Sequence, residues 1–407
     1  MMKRLCQTAI VLAAAGGVMA MGMPEADAAR KSSLAESRLI LDKNDVYLFP
    51  QLGVEYANLV SLEYGFADDS GSGLLLLGDE SMAFGVGIYR GDLLASPNYF
   101  PHNLGNPNLG NVSGPIPGFP QPHTVVDLFG AFDVGGGAAG ARLSFGNGGF
   151  RDVNIQDDAT GQSQTFLGFN AGYSMFGDFR VDTGLNLQYG SGTAYVEDEE
   201  DVDAGYFHAG VNFRGFMNMG ADVDLGLLGD VHFQHWSQTD FDPDDDDITS
   251  ANNELGIFAG AGPAYNIGET TIATYGVLGY FRAGEDPDVD EDDNRTFVTA
   301  AIVPGVHLAA DVQLFEWLYF RTGMQYSFGI AGLVSEVDTE GIDDAERDDI
   351  TESDRFSDFG WRAGLGVEID NFTFDGVFQS GFITGGPDFL GGTGGGMFTM
   401  VSAGYQF

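Results

Sequence analysis

One cysteine, three lysines and no apolar run long enough for a helical membrane span mark this 407-residue chain by what it lacks. Cys6 precedes an apolar stretch running from Ala9 to Ala20, itself preceded by Lys3 and Arg4 and followed by the small residues Ala26, Ala28 and Ala29. That order is the order of a secretory signal peptide, so residues 1–28 are expected to be removed, and Cys6 with them. Disulfide frameworks, thiol catalysis and cysteine-ligated metals are then excluded. Beyond the signal no stretch of about 18 uninterrupted apolar residues occurs, which argues against a transmembrane helix. If this chain crosses a membrane, strands must carry it.

Basic residues are scarce as well. There are 17 Lys and Arg against 60 Asp and Glu, giving a formal charge of −43, and no lysine follows Lys43. Such a charge opposes nucleic-acid binding. The acids are clustered: residues 191–203, 238–250, 284–294 and 331–353 hold 28 Asp and Glu in 60 positions with one basic residue, Arg347. The segments between them are apolar or alternating, so the clusters read as solvated loops separating ordered elements.

What the chain has in abundance is glycine (61), phenylalanine (33) and tyrosine (15), a composition of strands and turns. Period-two alternation dominates. In residues 179–189, Phe179, Val181, Thr183, Leu185, Leu187 and Tyr189 share one face, and Arg180, Asp182, Asn186 and Gln188 share the other. Residues 204–219, 221–234, 317–330 and 358–370 repeat the pattern. Polar faces this rich in glycine, opposed to aromatic faces on so many long segments, favour a lipid-embedded barrel over a soluble sandwich. Sixteen strands can be counted between residues 59 and 407, or fourteen if the short segments 59–66 and 73–77 are not strands. Short turns near 176–178, 219–220, 266–268 and 370–371 alternate with the acidic segments, which puts the acidic loops on one side, taken as external.

The last strand carries a family resemblance. Met397, Thr399, Val401, Ala403, Tyr405 and Phe407 share a face, and the ending Val401-Ser402-Ala403-Gly404-Tyr405-Gln406-Phe407 resembles the C-terminal assembly signal of bacterial outer-membrane β-barrel proteins. The resemblance implies an antiparallel up-and-down barrel in the outer membrane, partnered by its lipid and by the barrel-assembly machinery, which would read Tyr405 and Phe407. The domain plan is then a signal peptide at 1–28, a periplasmic lead-in or small plug at 29–58, and a barrel at 59–407. Residues 91–123, with seven prolines, interrupt the barrel as a long loop.

Candidate site residues follow from the phase. Arg142, Arg180, Arg214, Arg321 and Arg362 fall on polar faces and should point inward with Asp182, Asp224, Asp230, Glu368 and Asp375. Either they line an aqueous pore and set a transverse field in it, or they pair with acids to fill the lumen. His208 and His232 should lie opposite each other, but without a third ligand they read as lumenal polar residues rather than a metal site. Asp244, Asp246, Asp288, Asp290 and Asp292 offer hard oxygens for weak cation binding, but lack the glycine and closing glutamate of a calcium loop. No nucleophile-base constellation or phosphate-binding glycine loop is present, so an enzyme is not expected, nor any cofactor or metal. The leading expectation is a porin-like channel for small solutes or cations. The alternatives are a non-conducting surface barrel, or a transporter of hydrophobic ligands with an apolar pocket behind residues 30–58. Oligomerisation stays open.

Overall fold

A computed structural model describes residues 29–65, 70–88, 124–153, 159–196, 199–220, 222–240, 248–288, 294–337, 350–378 and 398–407. The expected signal peptide at 1–28 and the expected long loop at 91–123 lie outside these residues.

Sixteen strands form one closed antiparallel sheet in which every strand pairs with its sequence neighbours, and the last pairs with the first. In chain order they are β1 (Leu59–Gly65), β2 (Ser70–Asp79), β3 (Met82–Ile88), β4 (Thr124–Asp133), β5 (Gly137–Val153), β6 (Ala159–Met175), β7 (Phe179–Val196) and β8 (Glu199–Asn218). There follow β9 (Val223–Asp240), β10 (Ile248–Ile267), β11 (Thr270–Asp288), β12 (Asn294–Phe315), β13 (Leu318–Val337), β14 (Ile350–Ile369), β15 (Phe372–Phe378) and β16 (Phe398–Gln406). Closure removes the sheet edges that lipid could not satisfy.

The outer face follows from the alternation. Phe84, Leu128, Phe145, Leu167, Phe207, Val211, Phe233, Ile257 and Tyr326 are large apolar side chains left exposed on it. Phe213, Leu225, Phe320 and Phe328 share their parity and are half-buried. An apolar band around a closed barrel is the surface of a bacterial outer-membrane protein. Among the described residues no helix is long and apolar enough to cross a membrane.

Short connections gather at one rim. At Gly135 and Gly136 both φ angles are positive (77° and 83°), the conformation a tight hairpin of right-handed twist demands, and the Asp133 carboxylate accepts from the Gly135 amide at 2.6 Å. At the opposite rim lie the strand ends that flank the acidic clusters, among them Val196, Glu199, Asp240, Ile248, Asp288, Asn294, Val337 and Ile350. There the strands outrun the sequence reading: Glu199–Asp203 belong to β8, and the backbone of Asp288 closes β11 opposite Thr249. Ladder pairing continues past the apolar band because backbone groups gain from it in water as well as in lipid.

Residues 29–58 lie inside the circle of strands. Their first helix, α1 (Ala29–Ser33), packs on β13, β14, β15 and β16, and a 3-10 turn at Pro50–Val54 packs on β2 through β6. Leu34, Leu39 and Ile40 are buried with Leu228, Phe258 and Tyr275 of the wall. Val46, Phe49 and Leu52 are buried with Leu59, Leu76 and Phe129. Two wall glycines permit the approach: a Cβ on Gly140 would sit 2.4 Å from the Gln51 amide nitrogen, and one on Gly323 would sit 2.2 Å from the Leu34 carbonyl carbon.

Candidate functional site

The inner segment is shaped by local rules before it meets the wall. Asp42 caps the 3-10 turn Lys43–Tyr47, accepting from the Asn44 amide at 2.9 Å, while Asp45 reaches back to accept from the Asp42 amide at 3.1 Å. Pro50 opens the second turn, where its missing N–H costs nothing. This reciprocal cap holds the carboxylates of Asp42 and Asp45 in fixed positions, and each is used outward.

Arg214 of β8 is fully buried. It donates to Asp182 through Nε and Nη2 (3.0 and 2.9 Å), and through Nη1 to Asp45 of the inner segment (2.6 Å) and to the Arg38 carbonyl (3.2 Å). Its guanidinium also lies over the Phe49 ring, 4.9 Å from the centroid. Lys31 reaches the other Asp45 oxygen at 2.7 Å. On the far side of the lumen Arg30 donates to Asp42 at 2.9 Å and to Asp311 of β12 at 2.9 Å. Arg321 of β13 shares Asp311 (3.0 Å) and also contacts Asp375 and Glu368. Ion pairs, joined at the capping box by its hydrogen bonds, therefore run from Asp182 through Arg214, Asp45, Asp42, Arg30, Asp311 and Arg321 to Asp375. That chain crosses the barrel interior by way of the inner segment.

Burial alone would push the Asp45 carboxyl up, but Lys31 and Arg214 outweigh it and hold the group well below the usual carboxylate range. Asp42 is treated alike: burial opposes its ionisation, and Arg30 and Lys31 more than offset it. Both are therefore anions at neutral pH, as continuous pairing of buried charge requires.

The remaining predicted residues take definite places. Arg142 donates to Asn170 at 2.9 Å, lies 3.8 Å from Asp127 and sits over Tyr47. Arg180 pairs with Glu55 at 2.8 Å and Asp182 at 3.4 Å. Arg362 donates to Ser32 (2.6 Å) and Glu36 (3.3 Å). Asp224 accepts from Asn266, and Asp230 from His232 at 3.0 Å. All ten face inward; Arg180, Arg214 and Arg362 bond the inner segment directly, and Arg321 reaches it through Asp311.

His208 and His232 stack with ring centroids 6.0 Å apart, and His232 also contacts Glu254 at 3.1 Å. Among the described residues no three potential ligands are grouped for a metal ion. Asp244, Asp246, Asp290 and Asp292 lie outside the described residues. Tyr405 and Phe407 stack at the turn-side rim, and the Phe407 amide donates to the Asn58 carbonyl at 2.9 Å.

Sequence reasoning missed Arg30, Lys31, Asp42, Asp45 and Asp311. A signal existed: the only lysines after the expected signal peptide, Lys31 and Lys43, fall in 29–58, a basic density matched to an acidic wall. Beside this segment a cavity of about 500 Å³ opens near the turn-side rim, lined by Leu39, Ile40 and Phe216 but also by Arg30, Arg180 and Asp224.

No family model matches the chain, and no curated protein matches it. Several solved structures are similar in fold. The ferric yersiniabactin uptake receptor FyuA from Yersinia pestis is 9% identical with a TM-score of 0.36, the match covering 79% of this chain and 68% of that one. The ferric-catecholate import receptor Fiu from E. coli K12 is 7% identical with a TM-score of 0.34, covering 86% and 81%. The copper transporter OprC is 10% identical with a TM-score of 0.30, covering 86% and 80%.

Proposed function

We propose that this protein is an outer-membrane channel for the passive passage of small polar solutes, and that residues 29–58 are its plug, closing the turn-side, periplasmic mouth. The observation that carries the reading is the ion-pair chain through the inner segment. A barrel of about 16 strands has room for an aqueous lumen, so something must fill it or water will. If filling were the whole task, apolar packing would do it as well or better, because buried ion pairs seldom outperform hydrophobic replacements of equal volume. Charged partners suit a contact that must hold in one state and part into water in another, where each ion is rehydrated. The acidic clusters at the opposite mouth would concentrate cations there. The mixed charge of the turn-side cavity disfavours a hydrophobic cargo. Tyr405 and Phe407, at the rim, are placed to be read by the assembly machinery.

A tether tests the gate. The Ala131 Cβ lies 3.3 Å from where a Gly53 Cβ would stand, close to disulfide geometry, and a Cβ at Gly53 meets no backbone. Oxidised G53C/A131C should stay closed in planar bilayers, and a thiol reductant should restore defined conductance steps. Identical currents before and after reduction would exclude plug movement, and a wild-type protein silent in several salts would exclude the channel.

A further inference from the structure

On the loop side of the inner segment, the inward face of β6, β7 and β8 holds five polar side chains that are more than nine-tenths buried yet incompletely bonded. Both amide atoms of Gln164 have no hydrogen-bond partner, nor do Asn186 Oδ1, Gln188 Oε1, the Tyr206 hydroxyl or His208 Nδ1. The positions are contiguous: Gln188 pairs across the ladder with His208, and Tyr206 with Gly190, whose other neighbour is Phe166. Buried polar groups are rarely left without partners, because a buried donor or acceptor that has given up water and gained nothing in exchange is costly. A wall that concentrates them is organised for a partner that is not part of the chain.

The chemistry of the free atoms restricts what that partner is. They are amide, phenol and imidazole groups, mixing donors with acceptors. An anion would meet the carbonyl oxygens of Asn186 and Gln188, and the neighbouring Arg142 is already engaged by Asn170. A cation would leave the Gln164 amide unmet. The adjacent carboxylate, Asp230, spends one oxygen on His232 and keeps the other as one more acceptor. Hydroxyl groups donate and accept together, and so suit the set. Size agrees: three strands and the four residue rises from Asn186 to Gly190 make a patch of about 10 by 13 Å, with Gln164, opposite Gly192, one inward step of about 7 Å beyond it. Gly190 contributes no side chain to it, and an added Cβ there would stand in ordinary contact with Tyr206 Cβ at 3.6 Å.

We propose that this wall is a binding site for an uncharged polyhydroxylated solute of mono- to disaccharide size, met before the solute reaches the plug. The proposal names a cargo class for the channel and rests on that reading for its physiological meaning. Calorimetry on the full-length protein in detergent, with sucrose as probe and putrescine and citrate as charged comparisons, tests it without requiring conduction. Sucrose should bind saturably, and the oxidised G53C/A131C protein should bind it while carrying no current. The Q164L/Q188L double variant should weaken binding at least about tenfold, the scale expected when a site loses its hydrogen-bonding groups. Gly190→Leu should weaken it comparably by setting a bulky apolar side chain among the polar groups while leaving each of them in place, and heat-modifiable mobility shows that both variants are folded. Absent sucrose binding, tighter binding of putrescine or citrate, or affinity unchanged in both variants would overturn the site and leave the gate untouched. Equal currents in the tethered and reduced channel would overturn the gate and leave the site untouched.

Discussion

Arg214 spends its donors on Asp182, Asp45 and a backbone carbonyl while sealed from solvent, so its removal leaves these two buried carboxylates with only Arg180 and Lys31 as cationic partners. Breaking a buried pair this way costs about 3–5 kcal/mol. Arg214→Leu should therefore loosen the inner segment, read as faster trypsin cleavage at Lys31, Arg38 and Lys43 while the barrel keeps its heat-modifiable mobility. Arg214→Lys should rescue little, since an ammonium cannot reproduce the forked contact with Asp182. Acid gives a second test. Asp42 and Asp45 are held below their ordinary range, and a depressed pKa adds stability that is complete above the unfolded value of about 3.9 and lost as pH falls toward the folded one. Hydrogen exchange in residues 30–56, corrected for intrinsic rates, should be flat from pH 8 to about 5 and rise below about 4. A rise between pH 7 and 5 would mean that some other group controls docking.

Strands were far more legible than their occupant. Lipid demands an apolar side chain at every outward position and period two follows, so the faces of residues 179–189 can be assigned without a structure. The same rule implies that Phe213→Arg, which aims a charge into the apolar band, costs about 2–4 kcal/mol. Refolding yield into lipid vesicles should fall sharply, while Asn212→Ser, which loses only an inward acceptor for Arg38, should refold nearly as the parent does. Strand ends were harder to read, because beyond the membrane the alternation ceases to be enforced while ladder pairing goes on. The inner segment was hardest. It has no period, and its contacts span the chain: Asp45 meets Arg214 across 169 positions, and His307 meets the Ala35 carbonyl across 272. The polarity of Arg214 could be read locally, whereas the identity of its partner depended on the whole fold.

At the scale of the whole molecule the seam is the exposed point, because closure rests on short strands. β1 and β16 share seven residue pairs, and β15 and β16 another seven, whereas β12 and β13 share nineteen. A long ladder can absorb a lost donor: Pro304 sits within β12, and the pairing skips past it between Ile302 and Gly305 as a bulge. The β1–β16 ladder runs through its seven pairs with no such interruption. Ala403 pairs with Leu62 on one side and Phe374 on the other, so a proline there removes a donor from a seven-pair ladder and stiffens a strand that both neighbours depend on. An unpaired edge cannot be hydrated inside lipid. Ala403→Pro should accordingly abolish the heat-modifiable form on refolding into vesicles. Ala403→Val, which keeps the amide and the apolar character, should preserve it. Wild-type folding of the proline variant would show that the barrel does not depend on the β1–β16 ladder for closure.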